Sequence, residues 1–87
     1  MKAFVYILQD KNQKFYIGFT TDITRRLIQH SNGQTHTTAR MQSPQIVLKQ
    51  EYPTLEEARS IERKLKKLKR KDYIKKIVAD GRIKMKP

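Results

Sequence analysis

The chain has 87 residues, enough for one modest apolar core and too few for two, so a single domain is expected. It has no cysteine, which excludes disulfides and cysteinyl metal sites and fits a reducing, intracellular setting. Twenty Lys and Arg against eight Asp and Glu leave a net charge of +12, a field that attracts polyanions, of which nucleic acid is the commonest inside a cell.

Ala3 to Gln9, AFVYILQ, is dense in aromatic and branched residues and predicts a strand. The opening stretch is apolar only as far as Leu8 and turns polar at Gln9 and Asp10. That is too short for a signal-peptide core or a membrane span, so a cytoplasmic protein is expected. Asp10 to Gln13 reads as a polar turn, and Lys14 to Phe19 returns as the second strand of a hairpin. Thr20 to Asp22 offers N-caps, and Ile23, Leu27 and Ile28 then recur at helical spacing, so a first helix runs to about His30 and stops at Ser31, Asn32 and Gly33. Gln34 to Ser43 is polar and aperiodic, a loop whose hydroxyls and Arg40 offer phosphate contacts; His36 within it carries no assignment. Pro44 precedes a third strand, QIVLKQEY. Pro53 and a capping box, Thr54 with Glu57 three residues on, open a second helix with an apolar stripe of Ala58, Ile61, Leu65 and Leu68. Tyr73, Ile74, Ile77 and Val78 mark a third helix closed by Gly81. Residues 1–80 form the domain, and 81–87 a basic, flexible tail. In the order β-β-α-β-α-α, three strands cannot bury both sheet faces by themselves. The expected fold class is therefore α+β, a small three-stranded antiparallel sheet flanked by helices.

Between Glu62 and Lys76 nine of fifteen residues are Lys or Arg, so the charge is concentrated on one helical region. Arg63, Lys66, Lys67, Lys69 and Arg70 there, with Arg25 on the first helix, are candidate nucleic-acid contacts. A solvated helix face and a surface for anionic lipid are the other readings of such a run. The expected partner is nucleic acid, DNA first, with no membrane; the sequence leaves the number of copies in an assembly open.

Phe4-Val5-Tyr6 and Tyr16-Ile17-Gly18, followed by Arg26 ten residues after the second tyrosine and by Glu62 in a later helix, resemble the GIY-YIG nuclease superfamily. Within it, the short length and the run YIGFTTDITRRLIQHSNG are similar to the small stand-alone bacterial proteins of the UPF0213 type, and the likeness extends from Phe4 to about Tyr73. The glycine that opens the family's first tripeptide is Phe4 here, while Tyr6 is retained. The resemblance implies a GIY-YIG-like fold and a metal-dependent endonuclease that hydrolyses phosphodiester bonds in DNA, in repair or recombination. It implies Tyr6, Tyr16, Arg26, His30 and Glu62 as the catalytic set, with one Mg²⁺ or Mn²⁺ on Glu62. Nucleases of the superfamily commonly take their specificity from an attached DNA-binding domain, for which this length leaves no room. The alternative expectation is a basic nucleic-acid-binding module with the same fold and little cleavage of its own.

The chemistry of these residues is consistent with that implication. Tyr6 shares a strand face with Phe4 and Leu8, and Tyr16 shares one with Gly18. A register with residue 6 opposite 16 puts both phenols on one face beside a gap at Gly18 through which phosphate reaches the backbone; a slip of one residue separates the tyrosines. Both are also ordinary strand residues with hydroxyls at the rim. Neighbours on a helix point about 100° apart, so one of Arg25 and Arg26 flanks the buried face while the other is more solvated. A guanidinium at a strand-helix junction grips phosphate bidentately, and the family pattern assigns that to Arg26; otherwise it is a salt-bridge or solvated arginine. Glu62, a lone acid in the basic run, sits at the edge of the apolar stripe, where it either ligates one hard cation or pairs with Lys66 or Arg59. His30 positions substrate or metal-bound water, or complements the helix dipole. Tyr6 as general base needs strongly positive surroundings, Tyr16 and a lysine included, to bring its pKa down from about 10.

Overall fold

Ala3, Val5 and Ile7 alternate with Phe4, Tyr6 and Leu8 along the first strand, giving it two different faces, and the architecture follows from that difference. The computed structural model describes residues 2–31, 44–68 and 70–85. Within them the elements are β1 (Ala3–Gln9), β2 (Phe15–Thr20), α1 (Ile23–Ser31), β3 (Gln45–Tyr52), α2 (Leu55–Leu68) and α3 (Lys71–Asp80). The element order and the three-stranded antiparallel sheet are those expected, with β1 in the centre and strand order β2-β1-β3.

The odd-numbered face of β1 joins Ile17 and Leu48 beneath Ala58, Ile61 and Leu65 of α2 and Ile74 and Ile77 of α3, in one apolar core. The spacing of the α2 residues is that of a helix burying a single stripe. Polar side chains place the joints between elements. Asp10 Oδ1 accepts the N–H groups of Asn12 (2.9 Å) and Lys14 (2.8 Å), closing the hairpin with Gln13 in the left-handed region at φ 64°. Asp22 Oδ1 accepts the Arg25 N–H at 3.0 Å, and Thr54 Oγ1 the Glu57 N–H at 3.2 Å, so the first turns of α1 and α2 are capped from the side chain. Gly81, at φ 76°, ends α3 by donating to the carbonyls of Ile77 and Val78.

Beyond Gly81 the expected loose tail gives way to a docked segment. Ile83 is buried, its N–H donates to Gln50 Oε1 at 2.7 Å, and Gln50 Nε2 donates to its carbonyl at 3.1 Å. One carboxamide satisfies both backbone groups of a chain that has left its helix, so Ile83 completes the core as an irregular residue. No helix of the described residues is long and apolar enough to cross a membrane.

Candidate active site

The hairpin register brings the two tyrosines together, at a different offset from the expected one. Tyr6 lies opposite Gly18 and Leu8 opposite Tyr16. The difference is two residues, which preserves the face, so both phenols point to the side away from the apolar core. The same offset fills the gap expected at Gly18. A Cβ built there would lie 2.6 Å from Tyr6 Cζ and 3.1 Å from Cε1, so the glycine seats the Tyr6 ring while still lining the cleft. Tyr6 is 1 % exposed as a result.

Three rings then pack around one point. The Tyr6 and Tyr16 centroids are 6.3 Å apart, and His30, from the last turn of α1, stands 5.4 Å from Tyr6 and 5.3 Å from Tyr16. Tyr6 Oη and His30 Nε2 are hydrogen-bonded at 2.9 Å, both side chains buried. Burial pushes the Tyr6 phenol well above its usual range and the adjacent Tyr16 adds to the shift, outweighing the Arg26 guanidinium. The lowered phenol pKa expected from basic surroundings is therefore reversed, because desolvation of the phenolate outweighs the nearby positive charge. Burial, reinforced by Arg26, pushes His30 down, so the imidazole is neutral near pH 7.

Arg26, from the first half of α1, and Glu62, from the middle of α2, line the same cleft as Tyr6 and Tyr16, a space of about 380 Å³. The edge position of β2 makes this convergence possible, since side chains from helices on either side of a sheet can meet around a strand with no outer neighbour. Glu62 is 7 % exposed although it is a carboxylate, and its Oε1 is paired with Lys66 Nζ at 2.6 Å. Of the two basic partners expected for it, the structure selects Lys66, whose ammonium also lies 5.9 Å from the Tyr16 ring centroid. Among the described residues no group of three or more His, Cys, Asp and Glu could hold a metal ion. A hard cation here would have one protein carboxylate, Glu62 at the cleft wall, and would have to draw the rest of its shell from water and phosphate oxygens.

The remaining basic candidates distribute unevenly. Arg63, Lys66 and Lys67 line a depression that adjoins the cleft through Phe19 and Glu62. Arg70 borders another with Lys66 and is paired to Asp72 at 3.1 Å. Arg25 is exposed and faces a separate depression with Asp22 and Ile28, outside the cleft. Arg40 and Lys69 lie outside the described residues. Sequence reasoning missed Phe19, Thr20, Thr21 and Leu55, which also line the cleft. A signal for Leu55 exists: it precedes Glu62 by seven residues, two helical turns, and therefore lies on the same side of α2.

Residues 2–77 match the GIY-YIG catalytic domain, and the chain belongs to that family. The family is one of nucleases, which makes nucleic acid its substrate class, and its members typically use divalent metals. Among particular proteins, the chain is similar to the UPF0213 protein of Streptococcus pneumoniae serotype 4, at 39 % identity over 79 % of this chain and 71 % of the relative. It is 32 % identical to a UPF0213 protein of Staphylococcus saprophyticus over 92 % of this chain and 98 % of the other. The solution NMR structure of a UPF0213 protein from Bacillus halodurans superposes with a TM-score of 0.59 at 32 % identity, covering 93 % of this chain and 87 % of that one.

Proposed function

We propose that the protein is a divalent-metal-dependent endonuclease that hydrolyses phosphodiester bonds in DNA, in the cytoplasm, serving repair or recombination. The observation that carries this reading is the 2.9 Å bond from Tyr6, which lines one cleft with Arg26 and Glu62, to a buried, neutral His30 that does not itself line the cleft. With His30 in the tautomer protonated on Nδ1, the Tyr6 hydroxyl donates to Nε2. The phenol then acts as one link of a relay. Its oxygen takes a proton from the attacking water as its own proton passes to Nε2, giving an imidazolium at His30 while the P–O bond to the leaving oxygen breaks and solvent protonates that oxygen, so no free phenolate is needed. Tyr16 packs against both members and holds the pair in register. Arg26 grips two non-bridging oxygens of the scissile phosphate and meets the charge that grows there. Glu62 anchors one Mg²⁺ or Mn²⁺, which when bound supplies Lewis-acid stabilisation to the phosphate.

A second reading, a nucleic-acid-binding module with little cleavage, is favoured by the ion pair that already engages Glu62. The experiment that separates the two incubates labelled single-stranded, duplex and branched DNA and RNA with the protein in Mg²⁺, Mn²⁺ or EDTA, beside Arg26→Ala and Glu62→Ala. The nuclease reading expects metal-dependent cuts in DNA, reduced about 10²–10³-fold by Arg26→Ala and abolished by Glu62→Ala. Full cleavage by Glu62→Ala would end the metal assignment, and tight, salt-sensitive binding without cleavage in any lane would establish the binding module.

A further inference from the structure

Glu62 presents a problem that its assignment as metal anchor does not solve. A carboxylate that is 7 % exposed is costly unless something neutralises it, and before the cation arrives that role must fall to the chain itself. Lys66 fills it, with Nζ at 2.6 Å from Oε1, and among the described residues no other ion pair reaches Glu62. The ammonium thus stands on the one carboxylate of the cleft, where a hard cation would stand. The two would compete for it. A unit positive charge a few ångströms from a divalent ion opposes it strongly even at an effective dielectric constant of about 20.

Lys66 is also built to leave. Its side chain is 55 % exposed, and lysine carries a compact, readily hydrated charge on a flexible four-carbon stem. It borders the cleft and both depressions that flank it, so a released ammonium faces the ground over which a polyanion would lie. We propose that Lys66 is an internal counterion that holds Glu62 while the site lacks a divalent cation and is displaced when the cation binds. This rests on the reading of Glu62 as the metal anchor and adds a residue that sets the affinity for the ion.

Mn²⁺ binding without nucleic acid tests it, followed through the loss of the hexaaqua Mn²⁺ electron paramagnetic resonance signal. The proteins compared are wild type, Lys66→Met, Lys66→Arg, Glu62→Gln and, as a charge control, the exposed α3 variant Lys75→Met. Lys66→Met should bind Mn²⁺ at least about ten-fold more tightly than wild type. Lys66→Arg should bind more weakly, because a guanidinium grips the carboxylate in a bidentate fork. Lys75→Met should stay within about two-fold of wild type, its distant charge being screened. Glu62→Gln should lose the site. A merely structural salt bridge would not produce the order Met, Lys, Arg. If Lys66→Met binds no more tightly than wild type while Glu62→Gln abolishes binding, the counterion inference is overturned and the metal anchor stands. If Glu62→Gln binds as wild type does, the metal anchor fails and takes the inference with it. Thermal unfolding gives a second measurement: Lys66→Met, with Glu62 unpaired, should melt below wild type without metal and gain more in Tm from Mn²⁺ than wild type does. An equal or smaller gain counts against the proposal.

Discussion

Gly18→Ala tests whether the tyrosine site is assembled as described, because it adds one methyl group at the seat of the Tyr6 ring. The new Cβ would stand 2.6 Å from Tyr6 Cζ, far inside van der Waals contact, in a strand whose backbone is held by pairing with β1. The ring is the softer of the two, so it should tilt away, and in doing so lose its 2.9 Å bond to His30. A lost hydrogen bond costs about 1 kcal/mol, and a buried ring nitrogen left without that partner adds a similar amount, giving about 2 kcal/mol in all. For a domain of this size that lowers Tm by about 8–16 °C. The functional effect should be the greater one, because a displacement of about 1 Å in a reacting group costs on the order of 100-fold in rate. Circular-dichroism melting and single-turnover cleavage, measured on the same preparation, read both quantities. A variant with wild-type Tm and wild-type cleavage would refute the seat and the relay together, since neither survives a tilted ring.

Three other outcomes follow from the geometry. The folded protein holds His30 below its usual pKa of about 6.5, so the unfolded chain binds the extra proton more readily. The stability owed to the neutral imidazole is fully present above about pH 6.5 and is lost as the pH falls through the lower folded value. Urea midpoints should therefore decline faster in wild type than in His30→Gln between about pH 7 and pH 5, and parallel curves would contradict this. Gln50→Ala removes the clamp on both backbone groups of Ile83 and should cost about 1–3 kcal/mol, with faster hydrogen exchange at the Ile83 amide; unchanged protection would show that burial alone holds the segment. Arg63→Ala should reduce the slope of log K against log salt for DNA binding by about 0.9, and Arg25→Ala by less, because Arg63 adjoins the cleft and Arg25 faces elsewhere; equal changes would mean that DNA covers both surfaces.

Much of this site was legible in the sequence because strand alternation and helical spacing are rigid rules. Parity alone predicts that Tyr6 and Tyr16 share a face in any even register, and the stripe of Ala58, Ile61 and Leu65 sets Glu62 at the margin of the core before any coordinates are known. What parity cannot choose is which even register forms. Offsets of zero and two residues expose the same faces, and the hairpin turn decides between them, through an Asp10 carboxylate that accepts two N–H groups and a Gln13 in the left-handed region. That choice determines whether Gly18 is an opening or a seat, and with it how deeply Tyr6 is buried. The reversal of the expected phenol pKa comes from the same choice. Composition counts positive charges and predicts a lowered value, whereas the structure buries the hydroxyl against His30 and Tyr16, where desolvation decides. The chemistry changes accordingly, from a tyrosine that must lose its proton beforehand to one that passes it on. The turn residues Asp10 and Gln13, outside every motif, thereby govern which proton-transfer mechanism the tyrosine hairpin can support.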